Sequence, residues 1–524
     1  VIVLSHQTIY LLLQTTTTMS NKYDIVIIGS GLGGLCTAYI LSKEGYNVCV
    51  LEKNRQIGGN LQIFSRSKSI FDTGVHYVGG LSEGQNLNQY FKYFGLMDKL
   101  KLKQLDMDGY DHVSFKGDPI VYKHAQGYDN FVEQLAQHFP QERENLIKYV
   151  KKMEAICNHF PLYRVSNEIK DVTQADFLQT DTKAFLETVT PNKKLQNILG
   201  ATNPLYAGEA NKTPLYVHAL VVNSYIESAW RCVDGSGQIA KHLGDSIKSM
   251  GGTILNYSEA KKFNFLGDEI KEVELTDGRI IEGKKFICNT DLSKALEMVD
   301  AKYLRPAYRN RINNLETTTS VFIVYLVLKP GTLKYFNYNV YHNFGEDAWD
   351  AINYTDETWP KGYAMFSQAS SKSPEHADSL IVMGYMRYDE VQQWVNTKNI
   401  TPNHIEKRGD DYEDFKNRKT EKLLDAIEHS FPGIRKNIVS QHTSTPLTYR
   451  DYIGSKDGNL YGIAKDYKDP LRTFISPRTK VPNLLLTGQN INFHGVLGVT
   501  ISAVVTASEL VDKNKLVKEI QSAT

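Results

Sequence analysis

Cysteine is scarce and scattered in this chain of 524 residues: Cys36, Cys49, Cys157, Cys232 and Cys288, an odd number with no Cys-x-x-Cys spacing. That pattern argues against a disulfide framework or a zinc site and suits a reducing, cytoplasmic setting. No window reaches the roughly 18 consecutive apolar residues of a membrane-spanning helix. Net charge is nearly absent, since 60 Lys and Arg against 59 Asp and Glu leave +1. A nucleic-acid partner held by bulk counterion release is therefore not expected. His-Glu-x-x-His, the P-loop and Gly-x-Ser-x-Gly are missing as well, which removes zincin, nucleoside-triphosphatase and serine-hydrolase chemistry from first consideration.

What is present is ordinary globular material, 41% hydrophobic and 23% charged with 37 glycines. The length exceeds what one core usually serves and suggests about three structural units. Residues 1–20 stand apart. Apolar patches at 1–4 and 9–13 are interrupted by polar residues and preceded by no basic one, and four threonines lead into Met19. This fits a secretory signal poorly, so Met19 reads as the natural start, with a leader as the alternative.

Periodicity gives a strand at 23–28, a helix at 32–44 and a strand at 47–51, a βαβ beginning. Residues 85–230 read as mostly helical; over 142–160, Leu146, Tyr149, Val150, Met153, Ile156, Cys157 and Phe160 recur at helical spacing. A helix from 236 leads to strands at 253–257, 271–275 and 280–288, the last two joined across Asp277-Gly278 as a hairpin. Strands at 320–328, 340–343, 363–367 and 380–385 suggest a second, antiparallel sheet. A charged helix at 412–430, a strand at 483–487 and a helix at 498–511 follow. The charged run 406–422 reads as solvated surface.

Directly after the first strand comes Gly29-Ser30-Gly31-Leu32-Gly33-Gly34, a G-x-G-x-x-G at the mouth of a helix. Gly29 permits the tight turn, Gly31 lets backbone approach a pyrophosphate, and Gly34 lets helix and strand pack, while the helix N-terminus favours phosphate. Glu52 closes the second strand 18 residues beyond Gly34, placed for a ribose diol. An acid there favours FAD or NAD over NADP. Gly235-Ser236-Gly237-Gln238-Ile239-Ala240 also fits the pattern, but 227–234 makes a poor buried strand, so a second nucleotide site is not expected there.

After Glu52 the chain reads Lys53-Asn54-Arg55-Gln56-Ile57-Gly58-Gly59, which resembles the extended motif of the flavin-dependent amine oxidase and phytoene desaturase superfamily. Phe71-Asp72-Thr73-Gly74-Val75-His76-Tyr77-Val78-Gly79 resembles the corresponding stretch of the retinol saturase group and its bacterial relatives. Residues 483–500, with Gly488, Gln489, His494, Gly498 and Val499, resemble the returning FAD segment of the same group, Gln489 standing where many members of the superfamily carry Asp. The resemblance runs from about residue 23 to 511. It implies an α/β protein with a discontinuous Rossmann-like FAD-binding domain (21–82, 231–302 and 475–512) and an α+β substrate domain containing an antiparallel sheet (83–230 and 303–474). It also implies FAD held by Gly29, Gly31, Gly33, Gly34, Glu52, Lys53, Arg55, Gly58, Gly59, Gly488, Gln489, Gly498 and Val499. The helix after Gly498 would turn its N-terminus toward the flavin.

The implied activity is that of an FAD-dependent oxidoreductase acting on conjugated double bonds of a retinoid- or carotenoid-like isoprenoid. Saturation is favoured, with desaturation or cis-trans isomerisation as alternatives, and NAD(P)H is an open choice of external reductant. A prenyl-lipid carrier of the Rab GDP-dissociation-inhibitor type is the non-catalytic alternative. Adding hydride to a conjugated alkene leaves a carbanion-like centre that needs a proton, and His76, Tyr77 and His494 are the candidate donors. The alternative reading is that these side chains only brace glycine-rich turns. An apolar polyene lives in membranes, so residues 303–312, with Arg305, Arg309 and Arg311, could dock on anionic lipid or form an ordinary surface helix.

Overall fold

A computed structural model describes residues 22–524 apart from 169, 172, 174, 402, 403, 406 and 407. Residues 1–20, read above as leader or upstream sequence, lie outside the described residues, as does part of the charged run. The first strand, β1 (Lys22–Ile28), is followed by the helix α1 (Leu32–Lys43) and the strand β2 (Val48–Leu51). β1 pairs in parallel with β2 on one side and with Ile280–Cys288 on the other, and β2 pairs in parallel with Thr253–Leu255. Leu484–Leu486 adds to Ile280–Cys288 in parallel, while Glu269–Leu275 and Ala260–Leu266 extend the sheet antiparallel. Strands from both ends of the chain thus share one seven-stranded sheet.

Its centre is buried on both faces, the usual state of parallel strands. Alternate residues of β1 feed two cores: Ile25 and Ile27 go to one, Val26 and Ile28 to the other. α1 is apolar nearly all round and packs against the helices Gly495–Ala507 and Gly237–Ser249.

The second sheet also has seven strands, in the order Ile438–Ser444, Ser320–Leu328, Ser379–Met386, Gly362–Ser367, Asn339–Asn343, Asp111–Phe115 and Tyr122–His124. All neighbours are antiparallel except Asn339–Asn343 with Asp111–Phe115. Ser320–Leu328 lies in the interior of this sheet. Val321, Ile323, Tyr325 and Val327 face the core shared with the first sheet, while Phe322, Val324, Leu326 and Leu328 face the charged helix Asp410–Ser430.

Several expectations are corrected. Residues 85–230 are mostly helical as read, but they also carry the unread strands Leu102–Gln104, Asp111–Phe115, Tyr122–His124 and Ala229–Cys232. Polar side chains at inward positions, Asp111 and Arg231 above all, hid their strand pattern; they are tolerated because each is hydrogen-bonded. The strand Ala260–Leu266 and a terminal helix, Lys513–Gln521, were not read at all. The charged helix is not simply solvated surface: it buries Tyr412, Phe415 and even Lys419, whose ammonium pairs with Asp356 and Glu390. Among the described residues no helix is long and apolar enough to cross a membrane. In the helix Pro306–Asn313, Arg309 turns inward and donates to the Leu296 and Val299 carbonyls, so it is not free to rest on lipid.

Candidate active site

A cavity of about 860 Å³ runs from the glycine turn after β1 to the inner face of the second sheet, within the roughly 300–1,000 Å³ usual for small-molecule sites. At its first end the backbone does the shaping. Gly29 has φ 98°, and a Cβ there would lie 2.8 Å from the Asn289 carbonyl oxygen. A Cβ on Gly34 would lie only 2.1 Å from the Gly29 carbonyl oxygen, so this glycine serves the close packing of α1 on the turn and does not line the cavity. α1 starts from Gly31 with no capping side chain and no acidic residue in its first turn, leaving its N–H groups toward the cavity.

The second glycine pair packs on the first. The Gly58 N–H donates to the Ser30 carbonyl at 3.0 Å, and a Cβ on Gly59 would lie 3.0 Å from the Gly31 Cα. Glu52 is buried and lines the same end. Its Oε2 accepts from the Ser30 hydroxyl at 2.5 Å and its Oε1 from the Asn54 N–H at 2.8 Å. Asn289, which the sequence did not single out, draws three segments together: its Nδ2 donates to the Gly29 carbonyl, and Cβ atoms on Gly33 or Gly488 would each lie 2.6 Å from its Oδ1. Lys53 lines the cavity and donates to the Asp451 carbonyl at 2.7 Å. Gln489 and Val499 line it farther along.

Arg55 and Gly498 require correction. Arg55 is exposed and away from the cavity; among the described residues only its carbonyl is engaged, by Asn256. The last cavity-side helix begins at Gly495, not after Gly498, with His494 at its N-cap position. Gly498 instead gives clearance to Phe493, whose Cβ a side chain would meet at 2.6 Å.

At the other end, Tyr77 sits just before the strand Val78–Gly79, with its hydroxyl donating to Asp111 Oδ2 at 2.9 Å and lying 2.8 Å from the Tyr341 hydroxyl. Both tyrosines line the cavity. Asp111 is fully buried behind them; its Oδ1 accepts from Asn339 Nδ2 at 2.8 Å, and Asn339 Oδ1 in turn accepts from the buried Arg231 at 2.5 Å. Burial raises the Asp111 carboxyl to about 7, against the hydrogen bonds from Asn339 and Tyr77 and the field of Arg231. Burial, with Asp111 beside it, holds the Tyr77 phenol well above its ordinary range. Sequence reasoning missed Asp111, Tyr341, Asn339 and Arg231, since nothing local marks a residue that acts across four segments.

His76 also lines this end, but burial and the Arg231 charge push its imidazole down to about 3, so it is neutral. Neither ring nitrogen has a partner among the described residues, and the ring stacks on Phe366 with centroids 4.5 Å apart. His494 faces a smaller neighbouring cavity, not this one. The other Gly-x-Gly turn does follow a strand, Ala229–Cys232, contrary to expectation. That strand lies between Val78–Gly79 and Leu102–Gln104 in a small antiparallel sheet, and the helix start is already filled by the Asp72 carboxylate, which accepts from the Ser236 N–H and hydroxyl at 2.7 Å each.

The residues at the glycine end fit a flavin dinucleotide: an uncapped helix start and a glycine-lined floor for phosphate, a buried carboxylate for a diol, and buried Asn60 Oδ1 and Thr487 Oγ1 on the wall with no partner among the described residues. The chain is 25% identical to human all-trans-retinol 13,14-reductase, over 94% of this chain and 86% of that one. It is 22% identical to prolycopene isomerase 2 of an Oncidium hybrid cultivar, over 93% of this chain and 84% of that one. Among solved structures, an oxidoreductase from Methanosarcina mazei covers 92% of this chain and 98% of its own at TM-score 0.62 and 16% identity, which shows a shared fold. The model of the flavin-containing amine oxidoreductase family matches residues 32–397, well over half the chain, and the chain belongs to that family.

Proposed function

We propose that this protein is an FAD-dependent oxidoreductase that saturates a conjugated carbon–carbon double bond of a retinoid- or carotenoid-like isoprenoid. The observation that carries the reductive reading is the Tyr77 hydroxyl on the cavity wall with the buried Asp111 carboxyl directly behind it, a proton source where a reduced alkene would need one. The names of the retinol reductase and prolycopene isomerase relatives supply the substrate class. Bound FAD supplies hydride transfer to and from carbon.

In this reading the α1 N-terminus with Gly29, Gly31, Gly33, Gly58 and Gly59 would hold the pyrophosphate, Glu52 would hold the ribose diol, and Gly488, Gln489 and Val499 would hold the ring end of the cofactor. Residues 21–82, 231–302 and 475–512 form the cofactor-binding unit, and 83–230 with 303–474 the substrate unit. Phe366, Tyr225, Met383 and Tyr385 give the substrate end an apolar wall that excludes water. Tyr77 delivers its proton to the substrate carbon, and Asp111 replaces it through the same hydrogen bond. The electrons come from an external two-electron donor, for which NAD(P)H is the candidate.

Isomerisation is the second reading, favoured by the prolycopene isomerase relative. Anaerobic mixing of pre-reduced enzyme with all-trans-retinol or a carotenoid separates the outcomes. Saturation reoxidises the flavin and adds two hydrogens to the product mass; isomerisation leaves the mass unchanged. A purified protein that stays colourless after FAD is added overturns both and leaves the lipid-carrier alternative.

A further inference from the structure

A second cavity of about 90 Å³ adjoins the first, and Leu205, Tyr225, Gly495 and Val496 line both. Its walls are largely apolar, with Phe160, Leu220 and Ile501 among them, and Lys465, His494, Ser224 and Asn492 are polar exceptions. Among the described residues no Asp or Glu lines it, and the other titratable side chains on its wall are Tyr163, Tyr216 and Tyr225. Lys465 is only 8% exposed, and the one hydrogen bond its ammonium makes among the described residues is to the Thr473 carbonyl, at 2.7 Å.

An ammonium has three donors, and a buried charge is normally paired. Here burial alone acts on Lys465 and draws it down to about 7, with no carboxylate opposing the shift. His494 stands beside it, made neutral by burial and by the Lys465 charge, and its buried Nδ1 has no partner among the described residues. The helix Gly495–Ala507 starts at the same place with no capping side chain and no acidic residue in its first turn. Among the described residues, a cation with no carboxylate beside it, an unpartnered imidazole nitrogen and an uncapped helix start therefore converge on one end of an apolar pocket.

We propose that this second cavity is the terminal subsite of the substrate site and takes a carboxylate at the end of an apolar chain, paired with the Lys465 ammonium and hydrogen-bonded by His494. This rests on the polyene-reductase reading above, and narrows its substrate to an amphiphile whose chain crosses the shared wall of Leu205, Tyr225 and Val496. One cation and a small volume suit a carboxylate; a diphosphate would need more positive charge and more room. A terminal alcohol carries no charge with which a protonated Lys465 could pair.

The test is calorimetric titration of the FAD-loaded protein at pH 8 with all-trans-retinoic acid, all-trans-retinol and palmitate, each in two buffers of different ionisation enthalpy. Retinoic acid should bind about thirtyfold tighter than retinol, the scale of a charge-assisted hydrogen bond. Because free Lys465 is largely neutral at pH 8, binding the anion should also take up a proton, and binding retinol should not. Lys465→Met should abolish both the preference and the uptake while leaving retinol affinity within about threefold. Equal affinity for acid and alcohol, or no proton uptake by the unaltered protein, overturns the subsite without needing any variant. Palmitate binding with uptake while neither polyene binds upholds the subsite and overturns the polyene reading. Failure of all three ligands overturns both.

Discussion

The two ends of the large cavity are built in opposite ways. At the glycine end, Gly29, Gly31, Glu52, Gly58 and Gly59 fall within 31 consecutive residues and act mainly through backbone shape, each spacing fixed by a turn or a close approach. At the tyrosine end, Tyr77, Asp111, Arg231 and Tyr341 come from four separated segments and act through side chains that meet only when the second sheet forms. The first end tolerates no added atom; the second tolerates isosteric change but depends on which atom carries the proton. Substitution should therefore break the first end as structure and the second as chemistry.

The largest effect is expected from Gly34→Ala. Its Cβ would lie 2.1 Å from the Gly29 carbonyl oxygen, a backbone atom that cannot swing aside, and 3.0 Å from Asn289 Nδ2. Overpacking of this kind costs about 1–3 kcal/mol or more. The variant should purify without visible flavin absorbance or unfold at a markedly lower temperature. Full flavin content at unchanged thermal stability would show that the glycine end is not rigid.

Next comes Tyr77→Phe, which should lower turnover about a hundredfold with flavin content unchanged, as the loss of a positioned acid does. Asp111→Asn keeps the shape and removes the proton store. Since the protonated carboxyl is the competent form and burial raises it to about 7, turnover should fall as pH rises through about 7, and the variant should lose that limb. The same shift acts on stability. With the folded value raised above the ordinary 3.8, the native state holds the proton more tightly, so stability from this group is greatest at low pH and declines as pH rises from about 4 through about 7. Identical pH profiles of the two proteins would sever Asp111 from the chemistry. The smallest effect belongs to His76→Gln. A neutral ring stacked on Phe366 gives surface, not a proton, so turnover should fall less than about tenfold with no change in the pH profile. A hundredfold loss with flavin retained would make His76 the acid.

Much of the framework is visible in the chain itself. The strands Ile280–Cys288 and Ser320–Leu328 have the boundaries read from their apolar runs, and the βαβ beginning differs by a residue or so at its ends. These are elements whose signal is local. Asp111–Phe115 and Ala229–Cys232 were missed because Asp111 and Arg231 point inward, where pattern rules expect apolar side chains, and their justification lies in Tyr77 and Asn339, far away in sequence. Arg55 was misplaced for the complementary reason: a residue inside a recognised motif inherits that motif's role on paper, but its side chain here points to solvent.

The sequence by itself determined the cofactor end, because a turn with positive φ, an uncapped helix start and an acid closing the next strand are encoded by residue type and spacing over a short span. It also determined the family through those same motifs. Only the tertiary structure decided the rest: that Asp111 rather than a histidine stands behind Tyr77, that Asn289 draws three glycine segments together, and that Lys465 is buried beside His494 with no carboxylate among the described residues. Those facts concern which side chains share a low-dielectric interior, and burial sets their protonation. Neither burial nor long-range partnership is written in any local stretch of the chain.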